Sequence, residues 1–160
     1  MLKFSKGNAK LGNKIYTFSL LSGWSCPNAK ECLSKAVMNE STNKLSIQDG
    51  PDTKFRCFSA SQEAQYKDTF AARKHNFDLV KKENTENIVN LIEKSLPKKA
   101  TIIRIHVAGD FFNQKYFDAW LQVARNKPNM IFYAYTKSIA FWVARLNEIP
   151  TNLKLNASRG

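Results

Sequence analysis

Runs of β-branched and aromatic residues alternating with helical stretches predict an α/β fold: a partial half-barrel of about four parallel strands with helices on its outer face. Three observations carry this expectation. From Thr101 onward, strand-like and helix-like segments follow one another with no linker or low-complexity tract between them. Three of the four strand-like runs set an apolar face against a polar one, whereas a parallel sheet covered on both sides would be apolar on both. The 160 residues hold 43% hydrophobic and 24% charged side chains, an ordinary globular mix, so residues 1–160 are expected to form one domain.

In chain order, Ile15 to Leu20 is the first strand, framed by Gly7, Gly12 and Gly23. Leu33 to Asn39 is expected to be a short helix. A turn-rich passage from Ser41 to Thr53 follows, with room for a small hairpin between Leu45 and Phe58. Ser61 to Lys82 and Thr85 to Lys94 have helical spacing, with Ala64, Ala71, Leu79, Ile88 and Ile92 among the buried positions. Thr101 to Val107 is the second strand. Asn113 to Asn126 is a helix that stops before Pro128. Met130 to Tyr135 is the third strand, Ser138 caps a helix through Asn147, and Asn152 to Ala157 is the fourth strand.

Within Thr101 to Val107, alternation puts Ile103, Ile105 and Val107 on one face and Arg104 and His106 on the other. The last strand opposes Leu153, Leu155 and Ala157 to Lys154, Asn156 and Ser158, and the first opposes Phe18 and Leu20 to Thr17 and Ser19. The repeated polar face is either the inside of a concave sheet lining a polar cavity or a solvated surface. His106 either lines that cavity or is a hydrogen-bonded core histidine.

No apolar run reaches the roughly 18 residues that span a bilayer, and Met1-Leu2-Lys3-Phe4 lacks the pattern of a signal peptide, so no membrane partner and a cytoplasmic location are expected. There are 25 Lys and Arg against 13 Asp and Glu, a net charge of +12. That balance favours nucleic acid or anionic metabolites as partners, or serves solubility alone. The chain contains no Walker-type phosphate loop, no Ser/His/Asp nucleophile set and no paired carboxylates suited to hydrolysis.

Three cysteines, an odd number in a reducing compartment, make a disulfide framework improbable and leave core packing, metal ligation or nucleophilic chemistry. Their spacing is C-x5-C, then 24 residues, then Cys57. This is not the paired spacing of a zinc finger, and only His75 and His106 could complete a tetrahedral set. Three thiolates without an obvious fourth ligand suit a [4Fe-4S] cluster held through Cys26, Cys32 and Cys57, with one iron open. The alternative is three buried free thiols.

The polar strand ends converge with the cysteine loop at one edge of the sheet. After the second strand comes Ala108-Gly109-Asp110, after the third Thr136-Lys137-Ser138, and after the fourth Ser158-Arg159-Gly160. Parallel α/β proteins place ligands at this carboxyl edge. Gly109, Asp110, Lys137, Ser158 and Arg159 are the candidate ligand-binding residues at this edge. Asp110 could hold an amine or a ribose hydroxyl, or be a helix N-cap. Lys137 and Arg159 suit a carboxylate or phosphate, or are surface charges.

Several segments resemble a bacteriophage family called gene product eighty-eight: Gly7-Asn8-Ala9-Lys10-Leu11-Gly12, Cys26-Pro27 through Cys32-Leu33-Ser34-Lys35-Ala36, Phe55-Arg56-Cys57, Arg104 through Phe112, Phe132 through Ser138 and Ala157-Ser158-Arg159-Gly160. The resemblance runs through nearly the whole chain and implies a phage protein acting in the host cytoplasm. Members of that family usually continue beyond the Ser-Arg-Gly segment, so the chain is expected to be a short or truncated member. More distantly, the layout is similar to radical S-adenosylmethionine enzymes, in which a three-cysteine cluster loop follows the first strand and a Gly-Gly-Glu-like turn ends the second. That similarity implies cluster binding and S-adenosylmethionine as a further cofactor, with Asp110 at its amino group, Arg159 at its carboxylate, and Asn156 and Ser158 beside Arg159 where later strands contact the cofactor, so that Asn156 joins the candidate cofactor-binding residues. The cysteines of those enzymes are usually gathered as C-x3-C-x2-C, whereas here the third is set apart.

The expected function is therefore a phage-encoded [4Fe-4S] protein, a radical enzyme or an electron-transfer protein with a separate electron donor. The alternative is a basic nucleic-acid-binding protein with a structural metal site, suggested by Lys3, Lys6, Lys10, Lys14, Lys81-Lys82 and Lys98-Lys99.

Overall fold

A computed structural model describes residues 1–7 and 14–158. Gly12 and most of the Gly7-to-Gly12 segment lie outside the described residues, as do Arg159 and Gly160. The strands are β1 (Phe4–Lys6), β2 (Ile15–Phe18), β3 (Ser34–Asn39), β4 (Lys44–Asp49), β5 (Ile102–Ile105), β6 (Ile131–Thr136) and β7 (Leu153–Ala157). The helices are α1 (Phe58–Gln65), α2 (Lys67–Val80), α3 (Thr85–Ser95), α4 (Gln114–Asn126) and α5 (Ile139–Val143), with a 3-10 turn at Leu146–Glu148.

The fold is mixed α/β with a mostly parallel central sheet. Its order is β1-β2-β5-β6-β7, in which β2, β5, β6 and β7 are parallel and β1 is an antiparallel edge; β3 and β4 form a separate hairpin. Register aligns Phe18, Ile105 and Ala134, and likewise Ile103, Phe132 and Leu153, so one sheet face is continuously apolar. That face packs on Ile88, Val89 and Ile92 of α3 and on Tyr116, Phe117, Trp120 and Leu121 of α4, forming the main core. The opposite face carries Thr17, Arg104, Tyr133, Tyr135, Lys154 and Asn156, none of which is fully buried.

Asn113 starts α4 by accepting a hydrogen bond from Tyr116 N at 2.9 Å, and Asn84 does the same for α3 from Asn87 N at 2.8 Å. Four expectations are corrected. Leu33 to Asn39 is not a helix, because Ser34 and Ala36 alternate inward and the segment pairs along its length with β4. The hairpin therefore spans Ser34–Asp49 rather than Leu45 to Phe58, turning through Asn43, whose φ of 51° is the left-handed backbone that asparagine tolerates. The helix expected from Ser61 to Lys82 breaks at extended Tyr66 into α1 and α2. Ser138 makes no side-chain cap; its hydroxyl donates to Phe111 O instead, and the helix after it runs for only five residues.

His106 is a core histidine. The strand ends at Ile105 and His106 takes φ 64°, which turns its ring away from the Arg104 face and into the core. Its Nε2 lies 2.9 Å from the Tyr116 hydroxyl and its ring 4.7 Å from Phe111. Val107, past the same bend, is exposed rather than aligned with Ile103 and Ile105.

Candidate functional site

The carboxyl ends of the parallel strands form a cavity of about 150 Å³. Cys26, Cys32 and Cys57 all line it, from three different supports. Gly109, Asp110, Lys137 and Ser158 line it as well, so the structure brings together seven of the nine residues singled out above. Asn156 is not among its lining residues; it sits on β7 with Nδ2 donating to Ala134 O at 3.3 Å. Arg159 lies outside the described residues.

Cys26 follows β2 on a loop held by short-range bonds. Ser25 N donates to Leu21 O, the Ser25 hydroxyl donates to the same carbonyl at 2.7 Å, and Ala29 N donates to Cys26 O. Gly23 takes φ 73°, and a Cβ there would stand 2.3 Å from Ser34 O, so only glycine lets the loop lie against the β3–β4 hairpin. Cys32 is fixed from the other side. Lys54 N and Phe55 N both donate to Glu31 O, and Gly50 N and the Thr53 hydroxyl donate to Leu33 O. Cys57 is the N-cap residue of α1, and its own N–H donates to the Ser34 hydroxyl at 3.2 Å, with no side-chain cap bond.

The Ala108-Gly109-Asp110 turn closes the floor. Leu20 N donates to Ala108 O, and Asp110 N donates to the Ser25 hydroxyl at 3.4 Å. Gly109 has φ 84°, and a Cβ there would meet Ser25 Oγ at 2.5 Å and Leu20 Cβ at 2.8 Å. Asp110 is buried and joins two strand ends. Its carboxylate accepts from Phe111 N at 2.7 Å, from the Thr136 hydroxyl at 2.5 Å and from Lys137 N at 2.8 Å. Burial raises its pKa, against the opposing effect of these donors. With those oxygens so engaged, Asp110 chiefly fixes where Lys137 leaves β6.

Burial pushes the Cys26 thiol up to about 12, although a hydrogen bond from Gly23 N favours the thiolate. Burial also raises Cys32, opposed by the positive charge of Lys137. In isolation these cysteines are therefore neutral thiols near neutral pH, and a cation in the cavity would be needed to hold Cys26 as a thiolate. Among the described residues, no group of three or more His, Cys, Asp or Glu side chains is arranged to hold a single metal ion.

Two supports escaped the sequence. Glu63 on α1, fully buried, accepts from Ser22 N at 3.1 Å, from the Ser22 hydroxyl at 2.9 Å and from Arg73 on α2 at 2.9 Å. This buried ion pair anchors the entry to the cysteine loop. Asn28 Nδ2 donates to the Ser138 hydroxyl at 3.0 Å, tying that loop to the end of β6. An ion pair ten residues apart gives no periodic signal, because its partners meet only after the break at Tyr66.

Among known proteins, the family described as Gene product 88 matches residues 2–160. The chain is similar to the Gene 88 protein of Mycobacterium phage L5, 26% identical over 124 residues that cover 72% of this chain and 44% of that protein. It is also similar to the Gene 88 protein of Mycobacterium phage D29, 27% identical over 124 residues, 72% of this chain and 43% of that one. The chain thus spans less than half the length of these relatives. No solved structure matches it.

Proposed function

Because the chain belongs to the Gene product 88 family of bacteriophage proteins, we propose from its own residues that it is a phage [4Fe-4S] protein. Cys26, Cys32 and Cys57 serve as ligands, one iron is left open, and the protein works in the host cytoplasm. The observation that carries this reading is the meeting of all three cysteines, from the loop after β2, the passage into β3 and the cap of α1, around one small cavity. Soft thiolates select iron-sulfur clusters. A single zinc ion needs its ligands within about 2.3 Å of one point, whereas a cluster offers several irons to thiolates spread around it. The cavity volume of about 150 Å³ matches engineered cavities of about 150 Å³ that hold benzene, and is smaller than the roughly 300–1,000 Å³ of ordinary ligand pockets. A compact inorganic group fits that size.

Once bound, the cluster would supply one-electron transfer and a coordination site at its open iron. The chain's part is to hold the thiolates, exclude water with Ala108 and Gly109, and set the positive charge of Lys137 beside Cys32. Sequential pairing of β2, β5, β6 and β7 with α3 and α4 packed against one face also supports the half-barrel reading. An electron-transfer role needs only the cluster and a separate electron donor; a radical-enzyme role needs S-adenosylmethionine as well.

Anaerobic reconstitution with iron and sulfide tests the proposal. About four irons and four sulfides per chain are expected, with a paramagnetic signal after reduction. Cys26→Ser, Cys32→Ser and Cys57→Ser should each lower iron content sharply while circular dichroism of the metal-free chain is retained. Loading should improve with rising pH, since ligation must remove the Cys26 proton. A folded chain that takes up no iron, or three variants that load as well as the parent, overturns the reading. Formation of 5'-deoxyadenosine on adding S-adenosylmethionine and reductant selects the radical form; its absence from a loaded cluster selects electron transfer.

A further inference from the structure

The sheet face opposite α3 and α4, which residues of α1 and α2 including Asp68 border at its Thr17 edge, has a chemistry of its own. On β6, Tyr133 and Tyr135 share this face two residues apart, with ring centroids 6.5 Å apart at 83°. Register places Arg104 of β5 and Lys154 of β7 on either side of Tyr133. The Arg104 guanidinium lies 5.8 Å from the Tyr135 ring centroid, and its buried Nε has no hydrogen-bond partner. The strand positions on this face include no carboxylate, in a chain whose net charge is +12.

Exposed Tyr135 and half-buried Tyr133, set between basic side chains on a sheet, are the elements of a stacking platform: rings take base faces, and cations take phosphates. Duplex DNA hides its base faces in the stack, so this arrangement suits an unpaired strand. We infer that the open sheet face binds single-stranded nucleic acid, with bases stacked on Tyr133 and Tyr135 and the backbone held by Arg104 and Lys154. Tyr135 also lines the cysteine cavity, so the bound strand would run to the cavity mouth. The inference does not depend on the cluster, because Tyr133, Arg104 and Lys154 are not among the residues lining that cavity.

Fluorescence anisotropy with a labelled oligothymidylate of about twelve nucleotides, titrated with the full chain, provides the test. Saturable binding that weakens with salt is expected. Tyr133→Val keeps a strand-forming side chain but removes the ring, and should weaken binding roughly tenfold; Tyr133→Phe should retain it. Lys154→Ala should flatten the plot of log affinity against log salt by about 0.7, while Lys44→Ala, on the distant hairpin, should leave affinity unchanged. A duplex of equal length should bind more weakly. If Tyr133→Val does not fold, Arg104→Met and the Phe variant read the same surface. The inference is overturned by absence of binding, by equal losses from Lys154→Ala and Lys44→Ala, by preference for the duplex, or by sedimentation showing that Tyr133→Val instead dissociates a self-associated chain.

Discussion

A single backbone angle decides the role of His106. Alternation along Thr101 to Val107 assigns it to the polar face, but φ 64° ends the alternation one residue early and delivers the ring to Tyr116 and Phe111. Alternation alone does not mark that angle, although histidine is among the few residues other than glycine that tolerate it. Burial drives its pKa down to about 3. In the unfolded chain the ordinary value is near 6.5, so between those limits the unfolded state binds the extra proton. The stabilisation is therefore complete above about pH 6.5 and is lost as pH falls toward 3. His106→Asn, which tolerates the same backbone and cannot protonate, should flatten the dependence of urea midpoint on pH between 6 and 4. Buried Asp110, whose pKa is raised, works in the opposite sense, because its protonated form is the one favoured by folding; comparing parent and variant at each pH removes its contribution.

At the scale of elements, α3 and α4 were legible because a 3.6-residue stripe needs no knowledge of its partner. Tyr116, Phe117, Trp120, Leu121 and Ala124 fall on one face whatever lies beneath. Strand β3 was not legible: Ser-Lys-Ala-Val-Met-Asn mixes helix and strand formers, and the decision comes from pairing with β4. The break at Tyr66 was equally silent, although it lets Arg73 return to Glu63. Truncating that ion pair with Arg73→Leu would leave a carboxylate buried, at an expected cost of about 3–5 kcal/mol. Adding Glu63→Gln should recover part of the loss, read from denaturant midpoints. The turn after β5 was visible as Gly-Asp at a strand end, and its glycine is required by both backbone angle and space. Gly109→Ala should cost about 1–3 kcal/mol from the backbone alone, which in a chain of this size lowers Tm by roughly 2–4 °C per kcal/mol. The convergence of the cysteines with the strand-end residues was legible for a related reason: strand ends point to a common edge whatever the intervening loops do, whereas the ties from Asn28 to Ser138 and from Ser22 to Glu63 exist only in three dimensions.

For the molecule as a whole, 25 basic side chains face 13 acidic ones, and most of the ion pairs join partly exposed groups. Such pairs contribute little, typically 0.2–1 kcal/mol each, while the unbalanced positive charge repels itself. Raising sodium chloride from about 20 to 200 mM should therefore raise Tm, because shortening the Debye length relieves repulsion more than it weakens exposed pairs; differential scanning fluorimetry reads the shift. No helix among the described residues is long and apolar enough to cross a membrane. The order in which strands join the sheet also sets a timetable for biosynthesis. The three cysteines are translated by Cys57, but the cavity they line includes Lys137 and Ser158, the latter 101 positions further along (158 less 57). At roughly 5–20 residues per second, the thiols emerge from the ribosome many seconds before β6 and β7 can shelter them. On the proposed cluster reading, loading of the site would follow translation, with the thiols open to oxidation in the meantime.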